Sequence, residues 1–191
     1  MSQAQPVMSL QRLTKEFETK GGQITAVDDV SFDLYKGDIL CLVGESGSGK
    51  TTVARMAAGM IDPTRGKVLF DGKDIHAMSR DEFGAYRRAV QIIHQDPYAS
   101  LNPIHTIGDT LRAPLLKHKL VKNRADATRR VEELLDLVDC RPVENFINKY
   151  PHQLSGGQRQ RISIARALTL NPRVIIADES VSMVDVSTRV S

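Results

Sequence analysis

Tryptophan is absent from this chain of 191 residues, and aromatic residues of all kinds make up 5% of it. So small a supply argues against a surface of stacking platforms for bases. Cysteine is scarce too: Cys41 and Cys140 lie far apart with no CxxC spacing, which argues against a disulfide framework or a zinc site. A reducing compartment and two buried thiols are expected. The five histidines show no metal-ligand spacing either. No apolar run reaches the roughly 18 residues needed to cross a bilayer. The N-terminal "MSQAQPVMSLQRLTKEF" lacks the apolar centre of a signal peptide, so any membrane role is expected to be peripheral. An excess of one charge is also missing: 26 Lys+Arg against 23 Asp+Glu leaves +3, so bulk charge points to neither nucleic acid nor anionic lipid.

What remains is ordinary globular usage, 41% hydrophobic and 26% charged, in a chain long enough for one domain with a real core. From about residue 7 onward, Val27, Val30, Phe32 and Leu34 alternate with polar residues, as in a half-exposed antiparallel sheet. The continuous apolar run Ile39 to Val43 predicts a strand buried on both faces. Val53, Met56, Ala57 and Met60 follow i, i+3, i+4, i+7, predicting a helix that stops near Gly59. "GKVLFDGKDI" reads as an edge-type strand with a turn, and "RRAVQIIHQDP" as a strand breaking at Pro97. Helical periods dominate from about 98 to 168, with Val131, Leu134, Leu135 and Val138 on one stripe, before "NPRVIIADE" returns to a buried strand. An α/β core with a helical insertion is expected.

"GESGSGKTT", Gly44 to Thr52, satisfies G-x-x-x-x-G-K-[ST] between a buried strand and a helix. Gly44, Gly47 and Gly49 leave room for successive backbone N–H groups to wrap a triphosphate, with Ser46 and Ser48 in the same cradle. The helix N-terminus adds partial positive charge. Lys50 is expected to reach the outer phosphates, Thr51 to ligand Mg2+, and Thr52 to add a phosphate contact.

"VIIADE" supplies the complementary half. A buried strand would deliver Asp178 to the magnesium through water and Glu179 to the attacking water as general base. Alone, such a pair is as compatible with a solvated turn. "LSGGQRQR", Leu154 to Arg161, sets Ser155 at an N-cap with Gly156 and Gly157 exposing backbone N–H groups, a second anion site. Two phosphate-binding devices in one chain suggest that they face different nucleotides, as in a head-to-tail dimer.

In this order, "GESGSGKTT", "LSGGQ" and "VIIADE" resemble the ATP-binding cassette (ABC) ATPases, over nearly the whole chain. The resemblance implies a P-loop NTPase core with an N-terminal antiparallel β-subdomain and a helical signature subdomain. Residues 1–97, 98–168 and 169–191 would be the nucleotide-binding core with β-subdomain, the helical subdomain, and the acidic strand with its following loop. Carried over residue by residue, Gln95 would contact magnesium and water, and Phe17 would stack on adenine, although a core phenylalanine is equally compatible with its sequence setting. Ser155, Gly156, Gly157 and Gln158 would touch the partner's nucleotide, and "SMVD", Ser182 to Asp185, would cross the dimer interface.

"HQDPYASLNP" and "YPHQLSGGQRQRISIARAL" look like the ATPase subunits of peptide and nickel importers. That branch implies a second ATPase subunit, identical or paralogous, transmembrane permease subunits, an extracytoplasmic solute-binding protein acting indirectly, and a place on the cytoplasmic face of the cell membrane. Pro97 and Pro103 bracket a stiff loop suited to a membrane partner, or to a plain linker. Arg159, Arg161 and Arg166 read as phosphate-proximal or salt-bridging rather than as a nucleic-acid stripe. Ser180 stands where relatives usually carry proline, and Met183 where they carry alanine. The family's switch histidine would lie beyond Ser191. Two outcomes are therefore expected as alternatives: an ATPase that energises import, or a fragment that binds ATP without turnover.

Overall fold

Alternating apolar residues between Met8 and Leu34 form a long hairpin, in which β1 (Met8–Thr19) and β2 (Gly22–Leu34) pair antiparallel. The structure is a computed structural model, and it describes residues 5–94 and 101–178. Three irregularities interrupt the ladder, and Arg12 and Asp29, beside the first two, adopt left-handed backbone, φ 50° and 48°. β3 (Arg65–Phe70) joins the far side of β1, and the two-residue β4 (Lys73–Asp74) closes the order β2-β1-β3-β4. The expected edge strand is thus an inner one. Gly66 permits this, because a Cβ there would lie 2.3 Å from the Arg12 carbonyl oxygen. Short β4 forms the edge instead, which limits the exposed ladder.

α1 (Lys50–Ala57) buries Val53, Ala54, Met56 and Ala57. It stops where Gly59 turns left-handed, and the Met60 N–H reaches back to the Arg55 carbonyl at 2.9 Å, a Schellman-type end. Met60 therefore falls off the expected stripe and is 52% exposed. α2 (Arg80–Ala89) takes the Arg-Arg-Ala that the sequence suggests as strand. Ser79 and Glu82 cap it reciprocally, the Ser79 N–H donating to the Glu82 carboxylate at 2.8 Å and the Glu82 N–H to Ser79 Oγ at 3.4 Å. Hydrogen bonds from Lys73 and Ser79 hold the Glu82 carboxyl down at a pKa of about 2. Tyr86 packs edge-on against Phe70 and stacks on Phe83, and Met8, Leu10, Leu13 and Val68 are buried in the same unit.

The described residues divide into two units, one up to Arg87 and one from Arg88 on. In the second, β5 (Val90–Ile93) pairs in parallel with β6 (Val174–Ala177), Val90 opposite Val174 and Ile93 opposite Ala177. Its helices are α3 (Ile107–Lys117), α4 (Arg124–Leu137), the single turn α5 (Glu144–Ile147) and α6 (Gly156–Leu168). Thr106 and Asn123 cap α3 and α4 by accepting from the N–H groups of Asp109 and Asp126, at 3.1 and 2.9 Å. The apolar stripe holds: Val131, Leu134 and Leu135 are buried with Ile107, Leu111, Leu115 and Ile162, and Val138 packs on their border.

One expectation fails. Ile39–Val43 forms no strand, and Ile39 and Val43 are 92% and 94% exposed. A parallel strand needs ladder partners and cover on both faces, and this run has neither among the described residues. Cys41 is exposed for the same reason, whereas Cys140 is buried as expected.

Candidate phosphate-binding sites

Local chemistry in the first unit shapes a loop that an anion fits. Gly47 and Gly49 take φ 81° and 89°, conformations that side chains resist. At Gly49 a Cβ would also stand 2.3 Å from the Ala26 carbonyl oxygen, so β2 closes tightly on the loop. Gly49 is the N-cap of α1, yet no side chain caps that end, and no acidic residue sits in the first turn. The positive end of the helix dipole therefore meets neither a capping side chain nor a first-turn carboxylate. Lys50 folds back over the loop, its Nζ donating to the carbonyls of Gly44 at 2.8 Å and Glu45 at 2.6 Å and to Ser48 Oγ at 3.3 Å. An ammonium held only by neutral oxygens is ready to exchange them for phosphate. Thr51 and Thr52 follow in the first turn of α1, so the Gly44–Thr52 loop gathers all its expected residues in one place.

Phe17 lies near the hairpin tip, opposite Ile24, outside the core and 40% exposed. The Lys15 ammonium lies 5.1 Å from its ring centroid. One face of the ring thus carries a cation, and the partly exposed side chain is of the type that can also stack on a flat ligand.

In the second unit, α6 opens on the other glycine motif. Ser155 Oγ accepts from the Gln158 N–H at 3.2 Å, and Gln158 Oε1 accepts from the Ser155 N–H at 3.0 Å. This reciprocal box leaves the Ser155 hydroxyl proton available to an outside acceptor. A Cβ on Gly156 or Gly157 would meet nothing within 4 Å, and neither has positive φ. Nothing among the described residues therefore requires glycine at these positions, although glycine in a helix costs up to about 1 kcal/mol relative to alanine. The requirement points outward, to something that must approach the backbone closely.

Arg159, read from sequence as phosphate-proximal or salt-bridging, is buried at the start of α6. Its Nε and Nη2 donate to the Leu154 carbonyl at 2.9 and 2.5 Å, clamping the turn before the helix. Arg161 does make the expected type of pair, with Asp139 at 3.2 Å. The positioning role of Arg159 had only one signal in sequence, a charged residue on the apolar side of the α6 period.

The acidic strand ends beside β5: the Asp178 N–H donates to the Ile93 carbonyl at 3.1 Å, so the ladder continues to this residue. Gln95 and Glu179 lie outside the described residues, as do Pro97 and the 180–185 segment. Among the described residues no three His, Cys, Asp or Glu side chains cluster as a metal site. Magnesium keeps most of its waters and takes phosphate oxygens as ligands, so a lone hydroxyl such as that of Thr51, or a lone carboxylate such as that of Asp178, is a donor of the kind it accepts.

The family model described as "ABC transporter" matches residues 27–182. The chain belongs to the ABC transporter family. It is 47% identical over 182 residues to the oligopeptide transport ATP-binding protein OppF of Bacillus subtilis, covering 95% of this chain and 59% of that protein. It is also 47% identical over 192 residues to the glutathione import ATP-binding protein GsiA of Escherichia coli, covering 97% of this chain and 30% of that one. Among solved structures, the dimeric post-hydrolysis state of the ATP-binding cassette MJ0796 bound to ADP and Pi superposes with a TM-score of 0.85 at 31% identity, over 95% of this chain and 77% of that one. The expected α/β P-loop NTPase fold is that of the ABC ATPase cassettes. No helix among the described residues is long and apolar enough to cross a membrane.

Proposed function

We propose that this ABC ATPase chain binds and hydrolyses ATP to energise import of peptides or related small solutes. The observation that carries the proposal is the pair of glycine devices: an uncapped helix start under Lys50, and Gly156–Gly157, where nothing among the described residues calls for glycine. A closed head-to-tail dimer uses both at once, the Lys50 loop of one protomer and the Ser155–Gln158 turn of its partner enclosing one nucleotide. The partner is a second ATPase subunit, identical or paralogous, and the pair acts on permease subunits at the cytoplasmic face of the membrane, supplied indirectly by a solute-binding protein. The names of the peptide and glutathione relatives, and the dimeric MJ0796 cassette, support this reading.

Within the site, Lys50 trades its loop carbonyls for the outer phosphates. The N–H groups of Gly47 to Thr52 cradle the charge, and Phe17 stacks on the base. Thr51 and Asp178, with Gln95, would hold magnesium, which when bound neutralises charge on the phosphates. Glu179 takes the proton from the attacking water. The test is ATP binding and phosphate release by the 191-residue chain against Lys50→Ala. Binding should weaken about tenfold to a hundredfold, the range for a lost charge-assisted hydrogen bond, and release above that control supports turnover.

The exposed Ile39–Val43 run favours a second reading, binding without turnover, because the segment that leads into the loop has no ladder to anchor it. ATP binding with phosphate release no faster than in Lys50→Ala would select that reading. Equal ATP binding by both proteins would reject the nucleotide site itself.

A further inference from the structure

α3 ends in a Schellman motif: the Leu120 N–H reaches the Leu115 carbonyl at 2.9 Å and the Lys119 N–H the Leu116 carbonyl at 3.1 Å. Its left-handed position, normally glycine or asparagine, is Lys119, with φ 54°. Elsewhere in the described chain the left-handed non-glycine residues are Asp or Asn, except Arg12. A lysine here is strained, and its side chain forms no hydrogen bond or ion pair among the described residues to repay it. Around it the sequence runs Leu-Lys-His-Lys-Leu-Val-Lys-Asn-Arg, 116–124, without an acidic residue. Lys117, Lys119 and Lys122 are exposed and form no ion pair among the described residues, while Arg124 lies 3.9 Å from Asp109. Leu116 and Leu120 flank this turn, 41% and 44% exposed.

We infer that the α3–α4 corner is a contact surface for anionic phospholipid, with Lys117, Lys119 and Lys122 meeting the headgroups and Leu116 and Leu120 entering the interface. Three unpaired ammonium groups around two exposed leucines have the charge and amphipathicity of an interfacial anchor. An acidic protein would satisfy the charges too. Cytoplasmic permease loops, however, are enriched in Lys and Arg, so they are the wrong sign, whereas the leaflet beside them is negative. The inference takes from the proposed function only the presence of a membrane. It is read without nucleotide, so its failure leaves the ATP site untouched, and failure of the ATP site leaves it standing.

The test is co-sedimentation of the 191-residue chain with vesicles of equal parts phosphatidylcholine and phosphatidylglycerol, and with phosphatidylcholine alone. Binding is expected to the mixed vesicles and to fade near about 1 M salt, where the Debye length is about 3 Å. The variant Lys117→Gln/Lys119→Gly/Lys122→Gln should lose about fivefold in partitioning per lysine, about a hundredfold in all. Glycine relieves the left-handed strain, so thermal stability should hold or rise in this variant, which separates lost binding from lost fold. Leu116→Gln/Leu120→Gln should weaken binding while keeping its salt dependence. Equal partitioning of variant and parent, indifference to phosphatidylglycerol, or binding to soluble polyglutamate but not to vesicles would each overturn the inference.

Discussion

Two short runs without a polar residue, Ile39–Val43 and Val174–Ala177, lead into the phosphate loop and the acidic pair, yet they end differently. The second is β6, hydrogen-bonded in parallel to β5 along its whole length. Ile39–Val43 has no ladder, and its end residues stand almost fully in solvent. Composition states which residues favour burial; a parallel strand exists only where a neighbour supplies the other half of each hydrogen bond. What comes before each run also differs. Arg173, just before β6, already donates its N–H to the Ala89 carbonyl at 2.7 Å and so leads into the ladder, whereas Ile39 follows a local turn in which Asp38 accepts from the Tyr35 N–H at 3.1 Å.

The comparison breaks most sharply at Val174, buried at the start of β6 opposite Val90. Val174→Asp leaves an unpaired charge among apolar neighbours and should remove about 3–5 kcal/mol from the second unit. Urea denaturation followed by far-UV circular dichroism measures the loss. A change under about 1 kcal/mol would mean that the β5–β6 pairing contributes little to stability.

The two cysteines give a smaller, chemical version of the same contrast. Burial raises the Cys140 thiol from an ordinary 9.0 to about 11, which cuts its thiolate at neutral pH about a hundredfold. Exposed Cys41 should therefore react first with a maleimide, and Cys140 only after denaturant is added. Mass spectrometry of the singly labelled chain assigns the site; equal labelling of both under native conditions would contradict the fold around one of them.

Features settled within a few residues were legible in the sequence. The phosphate loop, the Ser155 cap and the Val131–Leu135 stripe each depend on spacing along one segment. α2 was missed although Ser79-Arg80-Asp81-Glu82 carries a cap signal, because its apolar side is thin and the strand-like residues after it dominate the pattern. Three things were not legible, for one shared reason. The fate of Ile39–Val43, the inner place of β3 and the buried clamp of Arg159 on the Leu154 carbonyl all depend on residues distant in the chain or on which way a side chain turns. In the candidate site the individual motifs could be read, whereas the vacant space over Gly156 and Gly157 required coordinates.

The smallest expected effect is the sharpest test of the opening contrast. Val43→Thr replaces a methyl by a hydroxyl at nearly constant shape, just before Gly44. In a buried parallel strand that change costs about 1–3 kcal/mol, because the hydroxyl loses water without gaining a partner. At a side chain 94% exposed it should change stability by less than about 0.5 kcal/mol. The same substitution should improve solubility, since it interrupts an exposed apolar run. A cost above about 1 kcal/mol in this chain would show that Val43 is covered in solution. The contrast with β6 would then vanish, and with it the argument that an unanchored loop favours binding over turnover.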